Sequence, residues 1–321
     1  AASIPWAETK AADLHGVQVI GPSPGLVWVH GLGGSCAADD ARGVGAVLNP
    51  QVLSRTVLRL DLRGHGRSAG AHDPEAGPAQ YAWSSLAKDL RLAANASLSR
   101  AFFGGEALGA AVALHAAVAA TKTGSRDAPP GLVLMRPPAA LVQGIAGEGF
   151  PAELQRRLLA AAEATEARGV EALEALERAE GASLLDGAAA AYSADDGMEA
   201  ALLECRRAMP AEAYAAALRG HAASRAPGEE LESLGKAQHA MAGDAYGVPL
   251  TLQCPVLVLA VPGDADHPVE AAEALAKRLP GAELAVAATL KEAHDNWARQ
   301  IHAFLRKAWM KEFLAKRVMP Q

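Results

Sequence analysis

The chain has 321 residues, half of them apolar, with 30 basic and 36 acidic side chains for a net charge of −6. A mildly acidic chain without a basic block is not built for nucleic acid, whose phosphates demand clustered Lys and Arg. No apolar run approaches the roughly 20 residues that span a bilayer, and Cys36, Cys205 and Cys254 are too scattered for a disulfide framework or a metal site, which points to the cytoplasm or another reducing compartment.

The opening AASIPWAETK lacks the charged-then-apolar layout of a signal peptide. In chain order, GVQVIG (16–21) can supply a short strand, and PGLVWVHG (24–31) reads as a buried strand ending in glycine. TVLRLDLRG (56–64), SRAFFGG (99–105), GLVLMRPP (131–138) and CPVLVLAVPG (254–263) read the same way, and AELAVAA (282–288) is a weaker strand. Helix-like stretches at 81–95, 107–121, 268–279 and 294–315 alternate with them. Strands alternating with helices imply parallel pairing, because each crossover returns the chain to the same end of the sheet. Continuous apolar strands imply a sheet covered on both faces.

The alternation stops between 139 and 250. That stretch is rich in Ala, Leu and Glu at helical spacing and has no strand-like run, so it reads as several packed helices inserted between two sheet strands. The segment 224–236 reads as an exposed connection. The expected organisation is a first core part at 1–138, a helical insertion at 139–250, and a second core part at 251–321.

In such a sheet the reactive groups collect beyond the carboxyl ends of the strands. Five stretches fall there. His30-Gly31-Leu32-Gly33-Gly34 lets backbone N–H groups approach a ligand closely. DLRGHGRS (61–68) carries Asp61, Arg63 and His65, read as a tight loop held by an Asp–Arg pair rather than as chemistry. Gly105-Glu106-Ala107-Leu108-Gly109 has the form Gly-x-Ser-x-Gly with Ala in the serine place. Its glycines fit a strained strand-to-helix turn, and the helix start adds a positive field for an oxyanion. In GDADHPVEAAEAL, Asp266 is placed to cap the helix beginning near Pro268, which leaves Asp264 for chemistry. His294 follows the weak last strand and opens the final helix at the same sheet edge. His302 reads as an ordinary surface or core histidine. The tail 306–321 mixes Lys and Arg with Trp309, Met310, Phe313 and Leu314 and reads first as a helix packed on the sheet, so membrane contact is not expected.

HGLGG, DLRGHGRS, GGEALG, Asp264 and His294, in this order, resemble the α/β-hydrolase family. The resemblance implies an α/β fold with a mostly parallel eight-stranded sheet, helices on both faces and an inserted helical cap. It implies a serine esterase or lactonase in which position 107 would carry the nucleophile, Asp264 the acid and His294 the base. The backbone N–H groups of Leu32 and Leu108 would form the oxyanion hole, with His30, Gly31 and Glu106 beside the substrate. The expected substrate is a fairly apolar small ester, lactone or thioester, and no cofactor or metal is implied. Ala107 stops this chemistry, and a designed Ser→Ala exchange that traps substrate is the expected origin. The alternatives are a natural non-catalytic binding protein with the same fold and an acyltransferase using the same three residues.

Overall fold

The computed structural model describes residues 7–11, 13–122, 128–141, 152–180, 204–224, 252, 254–264, 267–279 and 281–318. Eight strands form one sheet in the order β1-β2-β4-β3-β5-β6-β7-β8. They are β1 (Ala7–Ala11), β2 (Leu14–Val19), β3 (Gly25–Val29), β4 (Val57–Leu60), β5 (Ala101–Glu106), β6 (Leu132–Met135), β7 (Val256–Ala260) and β8 (Glu283–Val286). Strands β3 to β8 run parallel, and β1 and β2 add an antiparallel edge. The eight-stranded, mostly parallel α/β sheet expected from the sequence is the sheet observed. The segment at 16–21 does supply a strand, beginning two residues earlier at Leu14.

The parallel strands are apolar without a break because neighbouring residues face opposite, equally covered sides. On β3, Val27 and Val29 enter one cluster while Leu26 and Trp28 enter the other. Phe103 and Phe102 divide in the same way on β5. The first cluster packs under α4 (Trp83–Ser97) and α5 (Leu108–Lys122). The second packs under the short helix α2 (Val44–Val47) and the C-terminal helix α10 (Leu290–Val318). Strand β8 gave only a weak sequence signal because it is an edge strand whose Leu284 and Val286 are exposed.

Between 139 and 250 the described residues hold α6 (Ala152–Arg168), α7 (Val170–Glu180) and α8 (Ala211–Ala222), and no strand. A side-chain tie fastens α8 to the core. The Trp83 indole N–H donates to His221 Nδ1 at 2.8 Å, and the Trp83 backbone N–H donates to Ser224 Oγ at 3.0 Å. The connection expected at 224–236 lies outside the described residues apart from Ser224.

Of the two helix starts that border the site, one falls where the sequence placed it and one does not. Helix α9 (Val269–Arg278) begins directly after Pro268, which stands at the cap position; Asp266 lies outside the described residues. Helix α10 begins at Leu290 rather than 294, so His294 sits inside its second turn instead of opening it. Thr289 accounts for the earlier start, since its hydroxyl accepts the Glu292 N–H at 3.2 Å.

Candidate functional site

The parallel strands end together, and the residues just beyond them converge. Strand β5 finishes in Gly104-Gly105-Glu106, and α5 begins one residue after Ala107. Ala107 has φ 52°, a left-handed conformation that costs an L-residue roughly 1–2 kcal/mol. The strain is imposed from both sides. A Cβ on Gly105 would run into the Gly109 backbone, and a Cβ on Gly109 would run into the Val29 carbonyl oxygen. Strand, turn and helix are therefore as close as backbones allow. The Ala107 N–H donates to the Met135 carbonyl at 3.0 Å, and its own carbonyl accepts the Ala110 N–H at 3.0 Å. The methyl group is nearly buried.

The loop after β3 lies beside this turn. Gly33 has φ 69°, and the Gly34 N–H donates to the Gly31 carbonyl at 3.1 Å. His30 was expected near substrate, but both ring nitrogens are used inside the fold. Nδ1 donates to the Gly31 carbonyl at 2.6 Å, and Nε2 accepts the Leu62 N–H at 3.0 Å. Burial lowers its pKa, in keeping with this neutral tautomer. Asp61 clamps the same loop by accepting the backbone N–H groups of Cys36 at 2.6 Å and Arg67 at 2.9 Å, and it also bonds His15 Nδ1 at 2.9 Å. Asp61, Arg63 and His65 thus serve the loop, as expected, though not through an Asp61–Arg63 pair. Arg63 reaches Asp89 instead, with two contacts of 2.6 Å. His65 donates from Nδ1 to the Arg63 carbonyl at 2.9 Å, and burial pushes its pKa down to about 3.

Behind the elbow lies a buried chain of charges. Glu106, also expected against substrate, is fully buried and held by two guanidinium groups. Arg136 reaches Oε1 with Nε at 3.0 Å and Nη2 at 2.9 Å, and Arg42 reaches Oε2 at 2.9 Å. Arg42 also donates to Asp39 at 2.6 Å, and burial raises the Asp39 pKa to about 7 despite this partner. Arg136 follows β6 with φ 46° and donates from Nη1 to Asp264 Oδ2 at 3.0 Å. Asp264 in turn accepts the His267 backbone N–H at 3.1 Å and bonds His267 Nδ1 at 2.8 Å. Burial alone would raise the Asp264 pKa, but His267 and Arg136 outweigh it and bring it to about 2. Asp264 thus receives the N–H just ahead of α9.

His294 stands at the border of this chain. It is half-buried, and its ring lies over Gly43, where a Cβ would come within 3.1 Å of Cε1 and 3.2 Å of Nδ1. Burial lowers its pKa, Glu106 and Asp295 oppose that, and Arg136 and Arg42 reinforce it. The ring is therefore neutral near pH 7. Arg42, Arg136 and His267 escaped the reading of the sequence. The one signal for Arg136 was a charged residue directly after the buried run LVLM. Among the described residues no His, Cys, Asp and Glu group is arranged to hold a metal ion.

Residues 26–306 match a family model described as Alpha/beta hydrolase family. Among solved structures, the chain is similar to an esterase from Thermogutta terrifontis, with 22% identity, 94% of this chain and 98% of that chain covered, and a TM-score of 0.64. An esterase from Exiguobacterium antarcticum aligns at 14% identity over 94% of this chain and 99% of that chain, with a TM-score of 0.65. An enol-lactonase from Burkholderia xenovorans LB400 aligns at 19% identity over 94% of this chain and 100% of that chain, with a TM-score of 0.60. No curated protein matches the chain.

Proposed function

The chain belongs to the alpha/beta hydrolase family, and from that footing we propose that the site around Ala107 is an acyl-binding site for a fairly apolar small ester, lactone or thioester, silenced by its missing nucleophile. The observation that carries this reading is the elbow itself. Position 107 is forced to φ 52° between two glycines that admit no side chain. Such strain is stored where a side chain must be presented at a fixed point. A structural helix start would not need it.

With serine at 107, Oγ would attack the substrate carbonyl. His294, neutral near pH 7, would take the hydroxyl proton and pass it to the leaving group, with Asp264 as the acid of the triad. The backbone N–H groups of Leu32 and Leu108 would receive the developing oxyanion. A methyl in place of the hydroxymethyl group removes the attacking atom, at a cost on the order of a millionfold in turnover, and leaves the shape intact. A Ser→Ala exchange made to trap substrate accounts for an elbow preserved in every other respect.

One observation favours a second reading, a natural non-catalytic binder. The Asp264 carboxylate already bonds Arg136 and His267, which suits a structural carboxylate as well as a catalytic one. The two readings part on Ala107→Ser. The hydrolase reading expects this variant to hydrolyse short activated esters or lactones where the parent does not, and His294→Ala to abolish the gain. A folded Ala107→Ser chain that binds a non-hydrolysable ester analogue yet turns nothing over supports the binder.

A further inference from the structure

Between α1 (Cys36–Ala41) and α2 the chain turns on two consecutive residues, Arg42 and Gly43. Gly43 has φ 79°, a left-handed conformation that a side chain disfavours. Joining two short helices accounts for that angle. It does not account for the imidazole of His294, which closes over Gly43, so that a Cβ there would stand 3.1 Å from Cε1 and 3.2 Å from Nδ1. Glycine is thus demanded twice, once by the backbone and once by the ring.

The junction itself is pinned from several sides. Asp40, near the end of α1, accepts two hydrogen bonds from Arg59 of β4, at 2.8 and 3.1 Å. Arg42 reaches Glu106 at 2.9 Å and Asp39 at 2.6 Å. Val44 and Val47 of α2 share a buried cluster with Trp297 and Ile301 of α10. The ring is the looser part, since His294 is only half-buried. The same two residues also join the ring to the elbow. Arg42 holds the carboxylate of Glu106, the residue directly before Ala107, and Gly43 lies under the ring. Charge is felt across this short path: burial lowers the pKa of His294, and Glu106 is the first of the groups that oppose it.

We propose that Gly43 is a positioning residue: its bare face seats the imidazole of His294 at a fixed place relative to position 107. This rests on reading His294 as the base for a nucleophile at 107, and adds that the place of the base is set by a missing side chain. A Cβ at 43 would press the ring aside by a few tenths of an ångström, because the pinned junction does not give way. The ring would move toward solvent, away from the burial that lowers its pKa. Small displacements of a proton-transfer group are costly in rate.

The test follows the His294 ring by proton–nitrogen NMR in the full chain, its signal assigned by its loss in His294→Asn. Gly43→Ala should shift the ring signals and raise their titration midpoint toward the ordinary value of about 6.5. Gly43→Asn, which tolerates the left-handed backbone better, should do the same even where Gly43→Ala fails to fold. Gly77→Ala controls for strain alone. Gly77 is also left-handed, at φ 58°, but a Cβ there meets nothing within 4 Å, so His294 should not move. In the Ala107→Ser background, Gly43→Ala should lower kcat about tenfold with KM held within about twofold, and carry the rising limb of the kcat/KM profile to higher pH. Unmoved His294 signals in the folded Gly43 variants overturn the proposal, as does an equal shift in Gly77→Ala. So does an Ala107→Ser enzyme whose kcat ignores Gly43→Ala. If Ala107→Ser turns nothing over while Gly43→Ala still moves the ring, the acyl reading fails and the seat stands.

Discussion

The elbow at Ala107 and the turn at Asp264 close two parallel strands of one sheet, separated only by β6. They are held by different forces. At the elbow, backbone meets backbone: Gly105 against Gly109, and Gly109 against Val29. At the Asp264 turn, charge meets charge: Arg136 grips Asp264 on one side and Glu106 on the other, and His267 completes the carboxylate's bonds. A steric joint depends on the absence of atoms and is indifferent to pH and salt. An ionic joint depends on protons and on every partner being present. Arg136 links the two, since Glu106 is the residue directly before the elbow.

The sharpest way to break the steric joint is Gly109→Ala. Its methyl would collide with the Val29 carbonyl between two buried elements, and we expect a loss of more than about 4 kcal/mol, read as a denaturant midpoint or as failure to fold. The ionic joint breaks at Arg136→Met, which leaves the buried Glu106 carboxylate to Arg42 alone and Asp264 to His267 alone. We expect a loss of about 3–5 kcal/mol in urea unfolding. Adding Glu106→Gln should recover part of it, whereas no charge change should rescue Gly109→Ala.

Acid sharpens the contrast further. His65 and His221 both have pKa values pushed down to about 3 by burial. The unfolded chain takes up these protons near 6.5 and the folded chain only near 3, so stability must fall as pH drops through that window. Between pH 7 and pH 5 the expected loss is about 2 kcal/mol per histidine. Asp264, at about 2 when folded, adds a further loss below pH 4. His221→Asn, which can still accept the Trp83 indole N–H, should flatten the dependence of unfolding midpoint on pH. The smallest effect is expected at the elbow tip. Ala→Gly ordinarily destabilises a helix by roughly 0.5–1 kcal/mol, but Ala107→Gly relieves a left-handed backbone and should be neutral or stabilising by up to about 1 kcal/mol in thermal melts.

The same division explains what the sequence disclosed. Steric demands are written locally. Gly105 and Gly109 announce the elbow because no other residue fits, and six of the eight strands announce themselves as apolar runs between breakers. The antiparallel strand β1 did not, since AETKA carries no apolar run and depends on pairing with β2. Ionic demands are written at a distance. Arg42, Glu106, Arg136 and Asp264 are spread over more than two hundred residues, and only the fold brings them into one chain of contacts. Glu106 and His30 looked like substrate contacts because they flank the elbow and the glycine loop. Burial gave them internal partners that no local pattern encodes.

The central claim is that the elbow presents position 107 for attack on a carbonyl. It is tested most directly by giving Ala107→Ser a phosphonate ester that phosphonylates activated serines, and measuring intact mass. The account predicts one adduct per chain at residue 107 and none on the parent. A folded Ala107→Ser chain that melts like the parent and remains unlabelled would contradict it.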